Sequence, residues 1–210
     1  ITQDFVPDWR VLESIASSSG CSALIMVHYF GQPQNIGQFM AFCSRHNLLL
    51  IEDNAHGYGG FFAGKPLGSF GDAGISSPRK ILGTPSGGIL HGASGLSSEF
   101  VKNLRPYPAY RPISFFKAVL HLMPRTRRFL KSWSDRSKNW SDPFLHQEPV
   151  HPDHGIDWFS RWCVRSADWQ AIAAQRRENW LAWARFARSK GLRTVFREVY
   201  PESCPWAMPT

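Results

Sequence analysis

The feature that most constrains this chain is an apolar run, Leu48-Leu49-Leu50-Ile51, that ends in Glu52-Asp53-Asn54-Ala55-His56. Consecutive aliphatic residues closed off by polar ones read as a strand buried on both faces, the habit of parallel sheets covered by helices. A second such run, Ala23-Leu24-Ile25-Met26-Val27, precedes it. Between them Gly31-Gln32-Pro33 interrupts the chain, and Asn35 is placed to cap a helix with Ile36, Phe39, Met40 and Cys43 on one face. Strand, helix and strand over about 30 residues make a βαβ unit. The fold class expected is therefore α/β with a mostly parallel sheet. Asp53 then stands at the carboxyl end of the second strand, the edge where open α/β sheets gather ligands.

The rest of the chain extends this layout. Asp8 is placed to cap a short helix through Trp9, Val11, Leu12 and Ile15. The glycine-rich, aromatic stretch from Gly57 to Phe70 reads as a loop or short hairpin. Ala73 to Ser77 and Gly88 to His91 read as short strands on either side of Lys80. A short amphipathic helix is expected over Phe115 to Met123, and a Pro/His-rich connector over Asp142 to Gly155. Ser166 is expected to cap a helix running to about Lys190, with Trp169, Ile172, Ala173, Trp180, Ala184 and Ala187 near one stripe and Gly191 as its stop. Three segments follow: 1–100, the sheet region; 101–165, a basic, Trp-rich connection; and 166–210, the helix and what succeeds it.

Composition narrows the function classes. At 210 residues and 43% apolar content the chain can bury a real core. No stretch reaches the ~20 apolar residues of a membrane span. Cys21, Cys43, Cys163 and Cys204 show no paired spacing and read as buried free thiols of a reducing compartment, which points to the cytoplasm. The net charge of +8 is concentrated: ten Lys or Arg and one acid, Asp135, lie between Val101 and Ser141. With Trp133, Trp140, Trp158 and Trp162 nearby this could mark a phosphate or nucleic-acid surface, but no binding motif accompanies it and a solvated face explains it better. His151-Pro152-Asp153-His154 has too few ligands for a metal site, and His28 reads as a strand-end structural residue.

Lys80 follows Asp53 by 27 residues and is hemmed by Ser77-Pro78-Arg79 and a Gly-Gly turn. An acid at the end of a buried strand needs a cationic partner, and a lysine behind a second strand is a candidate nucleophile. Together they are the two groups that pyridoxal phosphate chemistry requires.

Four motifs occur in order: Val27-His28-Tyr29-Phe30-Gly31-Gln32-Pro33, Ile51 to His56, Gly64-Lys65-Pro66-Leu67-Gly68-Ser69-Phe70-Gly71-Asp72, and Ser77-Pro78-Arg79-Lys80-Ile81-Leu82. In this the chain resembles the DegT/DnrJ/StrS family, sugar aminotransferases of the fold-type-I pyridoxal phosphate enzymes. Arg176-Arg177-Glu178-Asn179-Trp180 is similar to a later helical motif of the same family. The resemblance implies that Asp53 pairs with the pyridine nitrogen and that His56 contacts the cofactor ring or its phenolic oxygen. It further implies that Ser77, with Ser76 as the adjacent alternative, binds the phosphate, and that Lys80 forms the Schiff base. An amino donor, typically glutamate, and a nucleotide-linked keto sugar are the implied substrates. A homodimer with shared active sites is the implied assembly.

Departures from the family pattern are also legible. The stretch from Asp72 to Lys80 is shorter than usual, and the family's Gly-Glu-Gly-Gly reads Pro85-Ser86-Gly87-Gly88. No counterpart of the Asn/Arg segment that reaches the neighbouring subunit is evident between Gly92 and Ile113. Relatives extend further at both ends, so the resemblance implies an internal piece of a longer enzyme: the large domain, incomplete, with the start of the C-terminal domain. Two alternatives belong to the same resemblance. One is a sugar dehydratase, a branch with histidine in place of the Schiff-base lysine. The other is a family-derived regulatory or binding protein without catalysis. A nucleic-acid-binding module built on the basic stretch is third.

Overall fold

The structure is a computed structural model, and it describes residues 2–84, 86–92, 104–105 and 154–210. Apart from residues 104–105, the basic stretch lies outside these residues, as do the helix expected over 115–123, the connector expected over 142–155 up to residue 153, Trp133, Trp140 and His151. Two compact units are present: residues 1–97 with 158–210, and residues 98–157. In the second unit the described contact is a parallel bridge between Arg105 and His154. All that follows concerns the first unit.

Its centre is a four-stranded sheet in the order β1-β2-β5-β6. β1 (Ala23–Val27) and β2 (Leu49–Asn54) are parallel, with Ala23 opposite Leu49 and Val27 opposite Asp53. β5 (Ala73–Ser76) continues parallel on the other side of β2, and β6 (Ile89–His91) closes the sheet antiparallel to β5. The expected mostly parallel sheet is thus present, its sharp turn-back supplied by the segment that carries Lys80. β3 (Phe61–Phe62) and β4 (Lys65–Pro66) form the small hairpin within the glycine-rich stretch.

One face of the sheet is sealed. α2 (Ile36–His46) lies on it, capped by the Asn35 side chain, which accepts the Gln38 N–H. Ile36, Phe39 and Cys43 of α2 pack with Met26, Leu50 and Leu67 into one core cluster. Each side chain so buried contributes about 1.5–3 kcal/mol. Trp9, from the Asp8-capped α1 (Trp9–Ser18), joins them edge-on to Phe39 at 5.0 Å. The other face differs from the expectation of strands covered on both sides. Ile25, Leu49, Ile75 and Leu90 share it by register and are 44–60% exposed.

A second core holds the remaining elements to the sheet. α3 (Pro78–Leu82) contributes Ile81, which is buried with Ala173 and Cys204 and flanked by Tyr58, Trp169 and Ile172. α5 (Trp169–Ser189) is the helix expected from Ser166 onward, and α4 (Trp158–Ser166), not expected, precedes it. The cap of the long helix is Asp168, whose carboxylate accepts the Ala171 N–H. The Ser166 hydroxyl instead donates back to the Trp162 carbonyl at the end of α4. Gly191, at φ +69°, ends α5 as expected, in the left-handed conformation that glycine adopts without strain. Cys43 and Cys204 are buried as expected, whereas Cys163 is half-buried and Cys21, beyond the sealed core, is exposed. No described helix is long and apolar enough to cross a membrane. Among the described residues there is no group of three or more His, Cys, Asp or Glu arranged to hold a metal ion.

Candidate active site

Strand alternation decides what β2 presents. Successive side chains leave opposite faces, so Leu50, Glu52 and Asn54 point into the sealed core while Leu49, Ile51 and Asp53 point the other way. Asp53 therefore emerges half-buried at the carboxyl end of the strand, beside Val27 and Ile75 in register. One of its carboxylate oxygens accepts the Ala55 N–H at 2.9 Å, which turns the chain sharply towards His56.

Glu52 serves a structural purpose that sequence reasoning did not assign. It is fully buried, and its carboxylate accepts N–H groups from Gly68 (2.9 Å), Gly71 (2.6 Å) and Phe70. His28, also fully buried, completes the cage at 3.0 Å. Because His28 Nδ1 accepts the Gln34 N–H, its proton sits on Nε2 and is donated to Glu52. Burial alone would raise the Glu52 carboxyl. The hydrogen bond from His28 and the Gly71 and Gly68 N–H groups outweigh it, and the net shift is downward. This cage ties β1, β2 and residues 68–71 into one frame behind Asp53.

Lys80 is delivered by α3. Pro78 occupies its first turn, where a missing N–H is no loss, and Gly83 at φ +67° stops it after five residues. The Lys80 side chain is exposed, and its ammonium lies over the indole of Trp206, 5.8 Å from the ring centroid. Ser77 is the N-cap residue of α3, half-buried, and its hydroxyl makes no capping hydrogen bond. Ser76 is occupied otherwise. It is buried, its hydroxyl accepts from Asn54 Nδ2 at 3.2 Å, and it shares a 2.9 Å hydrogen bond with His91 Nε2.

His56 follows Asp53 by three residues and is half-buried. Burial, and then the Lys80 charge, push its imidazole below the ordinary histidine range, against the opposite pull of Asp53, so it is neutral at pH 7. Its Nδ1 accepts the Phe30 N–H at 3.3 Å, which leaves the proton on Nε2. Trp206 stacks on it with centroids 4.5 Å apart. Phe30 itself is held at φ +56°, and the next residue shows why the turn ends in glycine. A Cβ on Gly31 would lie 2.7 Å from the carbonyl oxygens of both His56 and Cys204. Asp53 and His56 thus stand three residues apart at the carboxyl end of β2, His56 and Lys80 lie against the same indole, and Ser77 starts the helix that bears Lys80. Sequence reasoning missed Trp206, because only the tertiary approach of residues 203–206 to Gly31 brings it there.

Residues 3–110 match the DegT/DnrJ/EryC1/StrS aminotransferase family. The chain belongs to this family. Among its curated relatives is a putative L-glutamine:3-amino-2,3-dideoxy-scyllo-inosose aminotransferase of Micromonospora echinospora, 40% identical over 70 residues, 32% of this chain and 17% of the relative. Another is the UDP-N-acetyl-3-dehydro-alpha-D-glucosamine 3-aminotransferase of Acidithiobacillus ferrooxidans, 35% identical over 92 residues, 42% of this chain and 25% of the relative. The chain therefore spans a quarter or less of the length of these two family members. A family aminotransferase from Brucella abortus superposes with a TM-score of 0.56 at 17% identity, over 98% of this chain and 49% of that one. An E. coli GDP-4-keto-6-deoxy-D-mannose-3-dehydratase with bound hydrated PLP gives 0.54 at 15% identity, over 94% and 49%. At these identities the superpositions establish the fold, the fold-type-I architecture of pyridoxal-phosphate-dependent family members, here in part.

Proposed function

We propose that this chain is the cofactor-binding part of a pyridoxal-phosphate-dependent aminotransferase that moves an amino group, from glutamate as donor, to a nucleotide-linked keto sugar. In this reading residues 1–100 belong to the large domain, 101–165 connect, and 166–210 begin the C-terminal domain of a cytoplasmic homodimer. The observation that carries the reading is that His56, three residues after Asp53, and Lys80 lie against the same Trp206 indole, 4.5 and 5.8 Å from its ring, beside the sheet edge where this class of fold takes its ligands. The name of the Acidithiobacillus relative, an enzyme of a dehydro UDP-sugar, supports the substrate class.

The residues present suit pyridoxal phosphate. Lys80 offers an exposed amine, Asp53 a carboxylate with one oxygen tied to Ala55, and Ser77 a hydroxyl not spent on a helix cap. When bound, the cofactor supplies the electron sink that lets an amino group pass between carbon skeletons. Asp53 would hold the proton at the pyridine nitrogen. Lys80 would anchor the group through Nζ and afterwards move protons at the reacting carbon. His56 presents Nε2–H as a fixed donor, because Nδ1 is occupied by the Phe30 amide. Ser77 would bind the phosphate through its hydroxyl. The fold likeness to a dehydratase raises that chemistry as the competing reading. Lys80 argues against it, since the dehydratase branch carries histidine there.

The test is to mix pyridoxal phosphate with this chain and with a longer protein containing it, reduce with borohydride, and map the adduct by mass spectrometry. Label on Lys80, lost in Lys80→Ala and weakened in Asp53→Ala, is the expected result. Label scattered over surface lysines, or absent from the longer protein, would overturn the reading in favour of a family-derived binding protein.

A further inference from the structure

Trp206 touches both the residue that would bind the cofactor and the residue beside it. Its indole lies against the His56 imidazole, with planes 21° from parallel, and the Lys80 ammonium stands over the same indole. The stack continues to Phe30, whose ring is 6.4 Å from that of Trp206 and 13° from parallel. Main-chain contacts hold the residue on both sides. The Trp206 N–H donates to the Phe30 carbonyl at 2.9 Å, and the Trp206 carbonyl accepts from Arg176 at 3.3 Å. An indole that only filled a core would be buried. This one is 42% exposed, and its faces are spent on a histidine and a cation.

We propose that Trp206 is a positioning residue of the cofactor site, acting through Lys80 and His56. Indole offers the most favourable aromatic face to a cation. Among the rotamers of a long, exposed lysine, the contact favours the one that keeps the amine at the sheet edge. The same indole covers one face of His56 while Phe30 occupies Nδ1. What remains for a bound group is Nε2–H and the opposite face of the imidazole. Trp206 thereby limits how His56 can meet the cofactor. This role rests on the reading of Lys80 as the cofactor lysine.

Reductive methylation with ¹³C-formaldehyde places an NMR probe on Lys80 without any cofactor, assigned by its loss in Lys80→Arg. In the longer protein the Lys80 methyl resonance is expected upfield of the other lysines, through the indole ring current. The displacement should vanish in Trp206→Leu and persist in part in Trp206→Phe. Pyridoxal phosphate affinity, read from its absorbance, should weaken about threefold to tenfold in Trp206→Leu and be largely restored in Trp206→Phe. A general loss of structure would not be rescued by phenylalanine. A Lys80 resonance at the position of ordinary surface lysines would overturn the proposal even if borohydride labels Lys80. An upfield resonance with no label on Lys80 would remove the cofactor reading, and this role with it, while leaving the contact intact.

Discussion

Glu52 and Asp53 leave the same strand in opposite directions and enter opposite environments. Glu52 turns inward to a closed set of donors, His28 and the amides of Gly68, Phe70 and Gly71. Asp53 turns outward to the edge shared with His56 and Lys80. Two adjacent carboxylates therefore separate a structural duty from the proposed chemical one.

Glu52→Gln keeps the shape of the side chain but points an amide N–H group at donors. Breaking a buried, hydrogen-bonded charge costs about 3–5 kcal/mol, a large share of the roughly 5–15 kcal/mol that holds a domain folded. Urea unfolding followed by tryptophan fluorescence checks this. A loss below about 1 kcal/mol would mean that water replaces the cage.

The same carboxylate makes stability depend on acid. Its folded-state value lies below the ordinary range, so its contribution is complete above an unfolded value of about 4.3 and is lost as pH falls through the lower folded one. Melting temperatures between pH 3 and pH 6 should fall steeply at the acid end for the native chain. In Glu52→Gln they should fall less steeply.

Ser76 and Ser77 should separate cleanly. Ser76→Ala deprives buried Asn54 and His91 of a shared partner and should cost about 1–3 kcal/mol in thermal or urea unfolding. Ser77→Ala removes a half-buried hydroxyl without a capping bond. It should change stability by less than about 0.5 kcal/mol, while pyridoxal phosphate is retained less well on dialysis.

Thiol chemistry should follow burial. The Cys204 thiol is pushed up to about 11 by burial, only partly opposed by Arg176 and Arg177, and thiolates are the reactive form. With iodoacetamide at neutral pH, mass spectrometry should find Cys21 alkylated first, with Cys204 protected until the chain is unfolded. Early modification of Cys204 would show that residues 203–206 detach readily from α5.

Much of this was legible in the sequence for a physical reason. The runs ending at Val27 and Ile51 are apolar enough to read as strands, and they place Asp53 at a sheet edge before any coordinate is known. Lys80 was legible through its punctuation by proline and glycine. The Glu52 cage was not, because its donors are backbone amides that carry no side-chain signature, and His28 reaches it only once β1 and β2 pair. The cap of α5 was misplaced by two residues because Ser166 and Asp168 are equally good caps locally. Which one acts depends on where α4 ends. The exposed face of the sheet was hidden too, since an aliphatic residue reads the same whether or not a helix covers it.

Arg176 and Arg177 grip residues 203–206 by carbonyl oxygens alone: those of Ser203, Pro205 and Trp206. The Trp206 amide returns one more bond to the Phe30 carbonyl. Recognition through the main chain is blind to the side chain it carries. The backbone at position 206 therefore seats whatever aromatic stands there, and proline alone would remove one of its main-chain bonds; the side chain adds the stack on His56 and the contact with Lys80.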